Sequence, residues 1–199
     1  MRKAGSYFWS SLSVCVLLTL GSALSHAASV SGQARAIRTS VVGLSGTTTT
    51  TIADTGTLSG PSDIREASAP TGTVPSVVSG NTLHATTIGW PDQVKSEASV
   101  AGLTVTVAGN TIGAGFVMAR ASAVQGFPAT GTVSIDGLSI NGVPIWVTGS
   151  PNQTVGIPGG QVVINEQQTS PTNTIVNALH IAVTGVADVV IASARAGVQ

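Results

Sequence analysis

From Leu83 to Ala196 the chain alternates apolar and polar residues with a period of two, and glycine punctuates the alternation. That period places successive side chains on opposite faces of a sheet, and the abundant Val, Ile and Thr suit a pleated, half-buried surface. The pattern predicts strands at Leu83–Thr87, Ser96–Ala108, Gly113–Ala123, Gly131–Asp136, Leu138–Ile140, Val143–Thr148, Gln161–Gln168, Thr174–Thr184 and Ala187–Ala196, with an earlier strand at Val30–Val42. Asp136-Gly137 and Asn141-Gly142 are hairpin-type dipeptides, and Pro158-Gly159-Gly160 marks another turn. No stretch after residue 28 repeats apolar residues at helical spacing between caps. Many short strands with a turn signal about every ten residues predict an all-β, antiparallel sandwich or barrel-like domain.

Two segments break the alternation. Residues 43–79 hold the Thr47–Thr51 run, Gly60-Pro61, Pro70 and Pro75, and few large apolar residues. They read as loop-rich, either long surface loops or a mobile arm. At the other end, Met1-Arg2-Lys3, the apolar run Val14–Leu20 and Ser25-His26-Ala27-Ala28 have the layout of a secretory signal peptide cut after Ala27. The apolar run is shorter than the roughly 20 residues that span a bilayer. Cleavage leaves a single domain, 28–199, with no transmembrane segment. It also removes Cys15, so the mature chain has no disulfide and no thiolate metal site. The expected location is extracellular, with non-covalent retention at the cell surface as a variant.

Charge narrows the function. Charged residues are 8% of the chain, against roughly 25% in ordinary soluble proteins. Without Arg2 and Lys3, six Lys/Arg face eight Asp/Glu. Such a balance offers phosphates nothing, which excludes nucleic-acid binding. A neutral Ser/Thr/Gly/Asn/Gln surface is weakly defended against association. The scarcity of Lys, Glu and Asp between Val100 and Ala119 singles out that segment as an unguarded strand edge.

The densest chemistry lies between Val162 and Gly185, where Asn165, Glu166, Gln167, Asn177 and His180 fall on the two arms of one hairpin. Pairing Gln168 with Thr174 puts Glu166 opposite Val176, Val162 opposite His180, and Asn165 opposite Asn177. Glu166 and His180 then share a face but stand four positions apart, roughly 13 Å, whereas an acid–base pair needs contact at about 3 Å. The hairpin therefore reads as structural, with an Asn165–Asn177 cross-strand amide pair on the core face. The functional rival has Asn165 and Glu166 offering oxygens to calcium or a sugar hydroxyl, but no Asp-rich loop completes a calcium shell. His84 and His180 alone do not make a zinc signature, and no catalytic sequence motif is present. No cofactor is expected and no catalytic role. Asp188 joins a catalytic set only if the fold brings it there. Asn152-Gln153-Thr154 matches a glycosylation sequon and reads as a surface loop. Trp90 and Trp146 are the candidates for stacking on a sugar ring. Asn81-Thr82-Leu83-His84 echoes Asn177-Ala178-Leu179-His180, each with a Gly five residues after the His. The echo is the mark expected of a duplicated β unit.

The stretches GQARAIRTSVVG, SEASVAGLTVTVAGNTIGAGFVMARASA, LSINGVPIWVTGSPNQTVGIPGGQVVINEQ and VNALHIAVTGVADVVIASARAGV together resemble the choice-of-anchor P family of secreted bacterial surface proteins. The resemblance covers most of the mature chain. It implies a β-rich extracellular domain without enzymatic activity, and it supplies no catalytic residues. Family members carry C-terminal anchors, whereas this sequence ends at Gly197-Val198-Gln199 with no sorting motif. Free secretion or non-covalent retention is the expectation. The function read from the sequence is a non-catalytic extracellular or cell-surface structural protein whose partner is itself, with surface-polysaccharide binding as the alternative.

Overall fold

The computed structural model describes residues 29–199, so the signal-peptide reading, with Tyr7, Cys15 and His26, lies outside the described residues. The strands are β1 (Val30–Gly43), β2 (Gly46–Asp54), β3 (Ile64–Val74), β4 (Val78–Gly89), β5 (Gln93–Val107), β6 (Asn110–Val124), β7 (Thr130–Asp136), β8 (Ser139–Ile140), β9 (Val143–Pro144), β10 (Gln153–Ile157), β11 (Gly160–Ser170), β12 (Asn173–Val183) and β13 (Ala187–Val198). One sheet runs β10-β11-β12-β13-β1-β2. The other runs β3-β4-β5-β6-β8-β9, with β7 also paired to β6. All pairings are antiparallel, and the two sheets pack face to face as a β-sandwich.

The core between the sheets is dominated by small and β-branched residues. Ala34, Ala36, Ala98, Ala119, Ala121, Ala192, Ala194 and Ala196 are all buried, interleaved with Val94, Val100, Val117, Ile37 and Ile191. Alanine at the contact lets two sheets approach closely, and glycine takes the tightest places. A Cβ on Gly32 would lie 2.5 Å from Thr87 Oγ1 and 2.8 Å from Leu58 Cδ1. Polar stitches cross the interior: Ser96 Oγ shares a hydrogen bond with Thr87 and donates to the Arg195 carbonyl at 2.6 Å.

The turn chemistry follows the sequence at Asn141-Gly142, where φ of 52° and 78° closes β8 on β9 in a two-residue hairpin. Asp136-Gly137 does something else. It carries the chain from β7 to β8, which follow one another along the same edge of β6. The segment 43–79 also differs from its loop-rich reading, because β2, β3 and the start of β4 occupy most of it. β2 and β3 lie at sheet edges, β3 with one face exposed and the first half of β2 with both, so Thr and Ser replace the large apolar residues that central strands carry.

In the first sheet the inward–outward alternation slips at one row. Asn165, Ala192 and Ala53, on β11, β13 and β2, have φ of 54°, 51° and 51°. Registered pairs run Glu166–Asn177–Ser193–Arg35–Asp54 on one side of the row and Ile164–Leu179–Ile191–Ile37–Ile52 on the other. Between them, consecutive residues such as Ala178 and Leu179, or Ala36 and Ile37, are both buried. Every strand from β11 to β2 therefore turns over by one residue at the same level.

The β10–β11 turn gives a sharp packing test. A Cβ on Gly160 would fall 2.0 Å from the Ala182 carbonyl oxygen, and backbone cannot move aside, while one on Gly156 would meet nothing within 4 Å. Gly160→Ala is expected to lower stability by about 1–3 kcal/mol, and Gly156→Ala to be neutral or stabilising by about 0.5 kcal/mol, both read from urea unfolding.

Candidate functional site

The slip assembles a polar cluster on the outer face of the first sheet. Register pairs Thr169 with Thr174, one residue away from the pairing the sequence suggests, so Val163 faces His180 and Glu166 faces Asn177. Glu166 and His180 are then three positions apart, which in a regular sheet would put them on opposite faces. Both strands turn over between them, at Asn165 and at Ala178, and both side chains emerge outward. His180 Nδ1 lies 3.0 Å from Glu166 Oε1. The expectation that this hairpin cannot join Glu166 to His180 is thus corrected, and so is the Asn165–Asn177 pair.

The contacts form a continuous chain across four strands. Asn177 Nδ2 donates to Glu166 Oε2 at 2.6 Å. His180 Nε2 meets Asp188 Oδ2, from β13, at 2.7 Å. Arg38, from β1, donates to Asp188 Oδ1 at 3.2 Å. Val163 and Val190 flank His180 in register on the same face and limit its access to water. Two carboxylates cannot donate, so both ring nitrogens must carry protons, and the arrangement calls for the imidazolium. Burial alone would lower the His180 pKa. The hydrogen bonds to Asp188 and Glu166, together with their charges, outweigh it and hold the pKa above the ordinary imidazole value.

Asn165 and Gln167 belong to a second cluster on the other side of the strand. Asn165 is buried. Its amide donates to the Gly149 carbonyl at 2.9 Å, and its oxygen accepts from Gln167 Nε2 at 2.8 Å. Gln167 also donates to the Gly131 carbonyl on β7 at 3.2 Å. The Gln167 backbone N–H donates to Asn152 Oδ1, and the Asn152 backbone N–H to the Asn165 backbone carbonyl. These bonds pin the 145–152 connection, which carries Trp146, to β11. Trp146 is 84% exposed, while Trp90 is half-buried in the β4–β5 turn, so the two indoles stand on separate elements and form no common platform.

The tetrapeptide echo has a structural counterpart. His84 on β4 also points outward just after a slip, where Thr82 has φ of 48°, and it faces Glu66 of β3 at 3.7 Å. Glu97 of β5 stands opposite Thr86, as Asp188 stands opposite Ala182, and pairs with Arg120 of β6. Strands β3-β4-β5-β6 thus repeat the acid–His–acid–Arg layout of β11-β12-β13-β1 in looser form.

Sequence reasoning named four of the five members of the His180 cluster. It missed Arg38, whose signal is its outward position on a strand whose neighbour carries Asp188. Among the described residues no group of three His, Cys, Asp or Glu is placed to hold a metal ion, and no helix is long and apolar enough to cross a membrane. No family model, no curated protein and no solved structure matches the chain.

The cluster makes stability depend on pH. His180 has a folded pKa above its unfolded value of about 6.5, so its contribution is complete below pH 6.5 and is lost as pH rises through the folded value. The unfolding free energy of the protein minus that of His180→Gln is expected to be largest in mild acid and to shrink on the alkaline side. Denaturant melts across that range check it, and a difference that stays flat with pH contradicts the assignment.

Proposed function

We propose that the chain is a non-catalytic structural protein of the extracellular space or cell surface, which works by associating with copies of itself. The observation that carries this reading is that the charged cluster around His180 is bonded to itself. Both nitrogens of His180, both carboxylate oxygens of Glu166 and both of Asp188 already have partners within the chain. A general base, a nucleophile activator or a metal ligand must turn its polar atoms toward a ligand, whereas each of these is turned toward a partner within the chain. Its work is to tie β11, β12, β13 and β1 together from outside. The arginines are engaged in the same way: Arg35 with Asp54 at 2.7 Å, Arg65 with Asp63 at 2.8 Å, and Arg120 with Glu97. A surface with few charges, most of them paired, in a chain that without Arg2 and Lys3 sets six Lys/Arg against eight Asp/Glu, does little to repel a second copy. The signal-like leader and the resemblance to choice-of-anchor P proteins support an extracellular setting.

The segment assigned to association changes. Val100–Ala119 lies in β5 and β6, each paired on both sides, so it offers no free edge. The association surface must lie elsewhere.

A second reading, binding of a surface polysaccharide, draws on the exposed indole of Trp146. Light scattering on the purified protein across a wide concentration range separates the two. Particle mass that rises with concentration is expected. A strict monomer that binds a glycan array, and loses the signal in Trp146→Ala, would replace self-association with the polysaccharide reading.

A further inference from the structure

The strand β2 closes one side of the first sheet, and its outer edge has no partner strand. Val42 fixes which groups face that edge. Its amide donates to the Val186 carbonyl, toward β13. Backbone groups alternate sides along an antiparallel strand, so those of Val41 and Thr39 point toward β2 and bond Thr48 and Thr50, which stand opposite them. Thr47, Thr49 and Thr51 therefore aim three N–H and three C=O groups away from the sheet.

The other edges are guarded. β3 carries Arg65, Glu66 and Pro70. β10 is five residues long and β9 is two, with Pro144. On β7 the Gly131 carbonyl accepts from Gln167. Short length, charge, proline and capping are the means by which sheets avoid pairing with a neighbour. β2, GTTTTTIAD, has none of them before Asp54, and Asp54 is held by Gln33 and Arg35. Apolar surface lies beside it: Val42, Leu44 and Val186 are exposed at the β1–β2 tip and the adjoining β12–β13 turn.

Resting on the self-association reading, we infer that β2 is the association surface and that its partner is β2 of a second copy, paired antiparallel about a two-fold axis at Thr49. That register sets Thr49 against itself and Thr47 against Thr51, so the outward donors and acceptors of both copies are satisfied by one another. Five successive threonines form a uniform edge with no alternating pockets to select a foreign peptide, and β2 itself is the uncharged, β-branched strand that matches it. Two six-stranded sheets become one continuous sheet across the pair. Each hairpin tip comes alongside the end of the other copy's β2 and covers apolar surface now met by water.

The test is sedimentation velocity on the full protein and on three variants, with circular dichroism to confirm each fold. Thr49→Pro removes an outward N–H and leaves the β1 ladder intact. Thr49→Lys sets two ammonium groups against each other at the axis. Thr104→Lys adds the same charge on an exposed position of β5. A concentration-dependent dimer is expected, with its dissociation constant raised at least about tenfold by either Thr49 change and unmoved by Thr104→Lys. Hydrogen exchange gives an independent reading on the unaltered protein: the amides of Thr47, Thr49 and Thr51 are expected to gain protection as concentration rises. A dimer indifferent to both Thr49 variants, with those amides exchanging freely, overturns the β2 interface and leaves self-association standing. A protein that stays monomeric throughout overturns both.

Discussion

The coordinated slip across the first sheet is the constraint on which the rest depends. A strand that turns over alone would bury its polar side and expose its apolar one. Here β11, β12, β13, β1 and β2 turn over at one level, so the inward sets stay matched on either side: Ile164, Leu179 and Ile191 below the row, Val176 and Ala194 above it. The left-handed conformations of Asn165, Ala192 and Ala53 cost on the order of 1 kcal/mol each. They persist because undoing any one of them would misalign all five strands. Alanine at Ala36, Ala178 and Ala192 keeps the crowded inner side of the row thin enough for the opposite sheet.

The slip also decides what the outer face can hold. It brings Glu166, from beyond the row, to the same face as His180, and leaves Asp188 on the far side of the ring. A half-buried imidazolium between two carboxylates is favourable only while every hydrogen-bonding atom is satisfied. Asn177 and Arg38 complete that condition. The cluster spans the middle of the sheet, where charges are paired, whereas β2 at its rim is bare threonine.

Much of the fold was legible because period-two alternation with Gly-rich turns has few other meanings. The β5, β6, β12 and β13 strands and the Asn141-Gly142 turn follow directly from it. What escaped was long-range. The edge strands β2 and β3 lack the apolar residues that announce a strand, since β3 is covered on one face only and the first half of β2 on neither. The hairpin register differs by one residue because β11 and β12 run on to Ser170 and Asn173 around a two-residue turn, and the left-handed Asn165 leaves no trace in the alternation of its neighbours. That single residue separates an Asn–Asn pair from a Glu–His–Asp chain. Asn177, Glu166 and His180 stand out as polar residues in an apolar hairpin, but Arg38 is 150 residues from Asp188 in sequence, and only the β13–β1 pairing joins them.

The most direct measurement is a nitrogen-15 NMR titration of the His180 ring. The account predicts both ring nitrogens protonated in mild acid, and a midpoint above 6.5. A midpoint at or below 6.5 would contradict the chain of Asn177, Glu166, His180, Asp188 and Arg38. It would also return His180 to the groups free to do chemistry.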